Sequence, residues 1–130
     1  MNYRYLILLV LWMALIFCLS SIPHLGIEGL GEIENQISRK SIHVIVYGIL
    51  TLLIWYSFPK LDKELAKKLV MCGFLAILFA IGDEIHQGFV PGRSGNARGV
   101  IFDSIGVVLT LVWLGFRNSR SVRITKTATK

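Results

Sequence analysis

A chain of 130 residues that is 54% hydrophobic, with a mean hydropathy of +0.63, is too apolar to be a water-soluble domain. It belongs in a membrane, and its formal net charge of +6 is accounted for by membrane topology without a nucleic-acid partner.

The first apolar run, Tyr5 to Leu19, follows Arg4 and stops before Pro23. It lacks a small-x-small cleavage pattern, and Phe17 before Cys18 does not suit a lipoprotein site, so it is expected to be a retained anchor. The connection from Ser20 to Ser41 carries Gly26, Gly29 and Gly31 together with Glu28, Glu32 and Glu34. Within it, Glu32 to Ser38 places Ile33 and Ile37 on one face and predicts a short interfacial helix. Ile42 to Phe58 is the second run and Leu69 to Gly82 the third, the weakest of the set. The third ends on Asp83-Glu84-Ile85-His86-Gln87, and Pro91-Gly92-Arg93-Ser94-Gly95 follows. Gly99 to Phe116 is the fourth run, interrupted by Asp103.

A span needs about 20 apolar residues, so the shorter runs must recruit their flanks. The expected spans are therefore about 5–22, 41–58, 67–84 and 99–117, with a basic tail at 118–130. These predict an all-α, membrane-embedded four-helix bundle forming a single domain over 1–130. The tail has no aromatic residue, and its Arg, Lys, Ser and Thr read as a topology anchor that can touch anionic lipid.

Lys and Arg favour the cytoplasmic side. Both termini and the second loop hold ten of them, and the other side holds four, Arg39, Lys40, Arg93 and Arg98. Both termini are thus expected in the cytoplasm, with the polar constellation facing outside. Cys18 and Cys72 fall at different depths and are expected to be packing residues without a disulfide.

On the second span Lys40, His43 and Tyr47 share one stripe, starting at the outer mouth and running inward. Taken singly, Lys40 reads as a snorkelling anchor and Tyr47 as an interfacial aromatic; with His43 on the same face, the three can line a cavity. On the third span Asp83 and Gln87 share a face, Glu84 points about 100° away, and His86 is expected to be a solvated loop residue. Asp103 lies about one turn inside the fourth span, where an unpaired carboxylate costs several kcal/mol. Its candidate partners are Arg93, Lys40 and His43.

Taken in order, these pieces resemble the VanZ-like family of small bacterial membrane proteins. The resemblance rests on Phe17-Cys18-Leu19-Ser20-Ser21-Ile22-Pro23, Lys40-x-x-His43-x-x-x-Tyr47, Asp83-Glu84-x-x-Gln87, Pro91-Gly92-Arg93-Ser94-Gly95 and Asp103-x-x-Gly106. It implies four spans in the bacterial cytoplasmic membrane and a link to reduced teicoplanin susceptibility, without an established biochemical activity. Two positions depart from the family pattern: Gly99 stands where members commonly carry an Asp, and Thr110 where they commonly carry a Gly. Gly99 weakens a mechanism needing three carboxylates at one centre, whereas Thr110 still allows close helix approach.

Three functions fit these residues. The first is a binding protein for an anionic membrane lipid or a lipid-linked cell-wall precursor headgroup. Lys40, Tyr47, Gln87, Arg93 and Asp103 would serve as binding residues, with Arg98 a further candidate grip on phosphate. The second is an intramembrane hydrolase or phosphotransferase with His43 as nucleophile or base, and Asp83 or Glu84 as proton-transfer partner. A divalent metal held by His43, His86, Asp83 and Asp103 would be a variant of it, but no His-x-x-x-His pair occurs, so neither a metal nor another cofactor is expected. The third is a buried polar network that fixes helix register and serves a partner protein.

Overall fold

The computed structural model describes residues 1–23, 32–59, 64–93, 95 and 97–128, with 32–39 and 120–128 described by backbone alone. Gly26, Glu28, Gly29, Gly31 and Ser94 lie outside the described residues, as do the side chains of Glu32, Glu34 and Arg39.

Backbone polar groups cannot be left unsatisfied in hydrocarbon, so long apolar stretches become helices. There are four among the described residues: α1 (Tyr3–Ser20), α2 (Glu32–Ser57), α3 (Leu65–Gln87) and α4 (Ala97–Ala128). Each contains a stretch long and apolar enough to cross a membrane. The expected interfacial helix at Glu32 to Ser38 is not a separate element, because those residues form the first turns of an uninterrupted α2. The helix of the fourth span likewise runs on into the basic tail. Glu64, just before α3, pairs with Lys67 in its first turn.

α3 ends where the Gly88 N–H bonds to the carbonyls of Glu84 and Ile85. Gly92 then takes a φ of 77°, a conformation that a Cβ disfavours. Gly95 lies so close to the end of α3 that a Cβ would come 2.1 Å from the Glu84 carbonyl oxygen and 2.6 Å from the Gly88 nitrogen. The connection is thereby folded onto α3, and α4 starts beside its acidic end.

α2 is the central helix, packed against α1, α3 and α4. It meets α4 closely at Gly106, where a Cβ would stand 2.0 Å from the Val44 carbonyl oxygen. One turn on, Thr110 Oγ1 reaches the Gly48 carbonyl at 3.5 Å. Small residues spaced four apart thus let the two backbones touch, as Gly106 and Thr110 predicted. α1 is tied to α2 by Trp12 Nε1 donating to the Val46 carbonyl at 3.1 Å, and it makes few contacts with α3.

Beside an apolar core, polar side chains are buried while large apolar ones face outward. Ser20, Thr51, Ser57, Lys68, Asp83, Gln87 and Asp103 are inside, while Ile7, Leu11, Val70, Phe74, Ile101, Leu109 and Phe116 face outward. That distribution suits a bundle solvated by lipid. Cys18 faces outward, Cys72 is buried, and both are free thiols.

Candidate polar site at the end opposite the termini

The ends of α1 and α3 and the starts of α2 and α4 converge at one end of the bundle. Asp83, in the last turns of α3, is 3% exposed. Its Oδ2 accepts from Ser20 Oγ at 2.9 Å, Tyr47 OH at 3.2 Å and Gln87 Nε2 at 3.0 Å, so donors from α1, α2 and α3 meet on one oxygen. Gln87 Nε2 also lies 3.4 Å from Ser20 Oγ. The Asp83–Gln87 pairing is what four-residue helical spacing predicts. Ser20 has no such signal: a serine at the end of a span is ordinary, and only the topology brings it level with Asp83.

One turn outward on α2, His43 Nδ1 is 2.9 Å from Asp103 Oδ1 on α4. Asp103 is fully buried, whereas the His43 side chain keeps 24% of its surface. Of the three candidate partners, His43 is the one at hydrogen-bond distance. A carboxylate accepts, so Nδ1 carries the hydrogen and Nε2 is left to act as an acceptor or base. Lys40 instead lays its ammonium over the Phe102 ring, 4.7 Å from the centroid.

The His43–Asp103 and Tyr47–Asp83 pairs form one electrostatic unit. His43 lies within the fields of Asp103, Asp83 and Arg93, and Tyr47 within those of Asp83, Asp103 and Glu84. The two rings are stacked with centroids 6.1 Å apart. Glu84 is also buried and faces α4, where a Cβ on Gly99 would stand 1.6 Å from its Oε1. The glycine at position 99 is therefore the space that Glu84 occupies. Glu84 thus faces α4 while Asp83 faces α1 and α2.

Arg93 directs Nη2 to the Leu19 carbonyl at 3.4 Å, which holds it against the end of α1. His86 corrects the expectation of a solvated loop residue, because α3 continues past the hydropathy edge and carries it in its last turn. Its ring stacks on Phe17 with centroids 4.1 Å apart. Ser21 Oγ donates to the Phe17 carbonyl at 2.7 Å, so at the 2.9 Å contact His86 Nε2 donates to Ser21. His86 thus clamps the end of α1 to α3. Among the described residues, no three His, Cys, Asp or Glu side chains are grouped to hold a metal ion.

An apolar cavity of about 570 Å³ lies between α1, α2 and α3. Its walls include Leu9, Met13, Leu50, Ile54 and Phe79, and among the described residues Asp83 is its one charged lining residue.

A four-helix membrane bundle with an ionisable cluster gathered at one end is the class these features define. The chain belongs to the VanZ/LLP1 family, whose model matches residues 5–117. No curated protein and no solved structure matches it.

Proposed function

We propose that this protein binds the headgroup of an anionic lipid or lipid-linked cell-wall precursor at the outer leaflet of the bacterial cytoplasmic membrane. Occupancy of that site lowers susceptibility to teicoplanin-type glycopeptides, which act on precursors outside the membrane. The ten-to-four distribution of basic residues supports the orientation, with both termini in the cytoplasm. The carrying observation is that Asp83 Oδ1 and Asp103 Oδ2 are buried without a hydrogen-bond partner among the described residues, in the cluster that holds His43 and Arg93. Unused buried acceptors are costly unless something satisfies them. A headgroup carrying both phosphate and hydroxyl or amine donors fits such a site. Arg93 takes the phosphate, the carboxylate oxygens take the donors, and Lys40 stands at the rim on Phe102.

The test is mass spectrometry of lipids that copurify with the detergent-extracted protein, beside Asp83→Asn and Arg93→Ala variants of matched yield. Selective enrichment of a phosphate-bearing lipid in the wild type, lost in both variants, is the expected result. Identical lipid profiles in all three would leave a register-fixing polar network as the better account.

A second reading, hydrolysis or group transfer on that lipid, is favoured by the His43–Asp103 contact. A buried carboxylate on Nδ1 orients an imidazole and supports positive charge on it, which is what a general base requires. Turnover of the copurified lipid that disappears in His43→Gln while binding persists would assign catalysis. Binding without turnover would assign a holding role.

A further inference from the structure

The apolar cavity of about 570 Å³ runs lengthwise between three helices. Its walls extend from Leu9 to Phe17 on α1, from Leu50 to Phe58 on α2 and from Leu75 to Asp83 on α3. Each stretch covers about eight helical steps of 1.5 Å, so the groove is about 12 Å long, more than a third of a hydrocarbon core about 30 Å thick. α1 and α3 run toward the polar site while α2 runs away from it, so Asp83 stands at the upper end of the groove and Phe58 at the lower.

Two further observations describe the upper end. Gly82 lines the cavity beside Asp83, and a Cβ there would meet nothing within 4 Å, so the space is open up to the acid itself. Asp83 is 3% exposed and collects its three donors on Oδ2, while Oδ1 is buried with no hydrogen-bond partner among the described residues. An apolar groove that ends on an unused buried acceptor has the polarity of a lipid, with a chain below and a donor-bearing polar end above.

Water does not fill an apolar cavity of this kind, and an empty one forfeits the dispersion contacts of its walls. Hydrocarbon is the filling that membrane depth supplies. Lipid tails are as apolar as the walls, however, so burial alone does not choose one chain over another. The choice comes from tethering: a lipid whose polar end is held at Asp83 presents its own chain to the groove at high effective concentration.

We propose that this cavity holds one hydrocarbon chain of the lipid bound at the polar site, so that the protein grips its ligand by the chain as well as by the headgroup. The chemistry of the polar end rests on the headgroup reading above, whereas the place of the chain rests on the cavity. An extended chain advancing about 1.2 Å per bond lays about ten carbons along the groove. The ligand class is therefore a lipid with at least one chain of about that length, and a soluble headgroup fills only the upper part of the site.

The experiment uses the full chain in lipid nanodiscs doped with phosphatidylglycerol or phosphatidylcholine that carries a photoreactive diazirine in the middle of one chain. Labelled residues are mapped by mass spectrometry in the wild type and in Gly82→Leu. Leucine is the better helix former, its Cβ enters open space, and its side chain leans toward the start of α3, down into the groove. The expected result is that phosphatidylglycerol labels Met13, Leu78 and Phe79 on the walls above the outward-facing Leu11, Val70 and Leu109, and that Gly82→Leu loses this preference. Equal wall labelling by phosphatidylcholine would support the chain site while sinking the anionic-headgroup reading. Labelling of walls and outward residues alike in the wild type overturns the proposal whatever headgroup the protein retains, and so does a wall preference unchanged in Gly82→Leu. Walls shielded from both lipids in a chain that runs as a dimer would overturn it too, giving the groove to a second copy.

Discussion

Gly106→Ala should loosen the bundle and dismantle the polar site together. The Cβ it adds would stand 2.0 Å from the Val44 carbonyl oxygen, 2.9 Å from its carbonyl carbon and 3.1 Å from its Cα, all backbone atoms that no rotamer change can move. Restoring ordinary contact at about 3.4 Å requires α2 and α4 to separate locally by about 1.4 Å. Overpacking of this kind costs about 1–3 kcal/mol, while the better helix propensity of alanine returns at most about 1 kcal/mol. Backbone meeting backbone places the cost at the upper end, so the net loss should be about 2 kcal/mol. His43 precedes Val44 and Asp103 lies one turn before Gly106, so the 2.9 Å His43–Asp103 contact sits beside the wedge. The same separation would stretch it beyond hydrogen-bond reach. The assay is reversible unfolding in mixed micelles, with Gly82→Ala as the control, because nothing lies within 4 Å of a Cβ there. Gly106→Ala unfolding at or above the stability of Gly82→Ala would refute the close α2–α4 crossing.

Further outcomes follow from the same contacts. Ser20→Ala and Tyr47→Phe each remove a donor from Asp83 Oδ2, and each should cost about 0.5–3 kcal/mol in the same unfolding assay. Additive loss in the double variant would argue against a shared acceptor. For His43→Ala and Asp103→Ala, a double-mutant cycle should return a coupling of about 0.5–3 kcal/mol, and a value near zero would contradict the contact at 2.9 Å. Gly99→Ala must displace the Glu84 carboxylate, so its cost should fall when Glu84→Ala is added; equal cost in both backgrounds would show that Glu84 does not occupy that space.

Helical periodicity made much of the architecture legible. Four apolar runs became four helices, and the facing of Asp83 with Gln87 followed from spacing alone. The partners across helices were not legible, because each depends on how far a helix is rotated about its axis. The stripe of Lys40, His43 and Tyr47 is real, yet its members meet Phe102, Asp103 and Asp83 in turn, so it spans two helix interfaces. His86 was misplaced because hydropathy marks where a helix leaves hydrocarbon, whereas backbone hydrogen bonds carry α3 on to Gln87. Gly99 read as a missing acid, and only the approach of Glu84 from α3 gives the absent side chain a meaning. Lys68 read as one charge in a count, since nothing in its neighbours along the chain announces that Trp55 will bury it.

The sparse contact between α1 and α3, with the apolar cavity behind it, makes that side of the bundle a seam open to hydrocarbon. Under the proposed lipid-binding function, a ligand that reached Asp83 through this seam would diffuse in two dimensions and never enter water. Its occupancy is then governed by its mole fraction among the surrounding lipids and not by its molarity in the buffer. On that reading, diluting a sample with buffer should leave the site filled, while diluting it with neutral lipid or detergent should empty it.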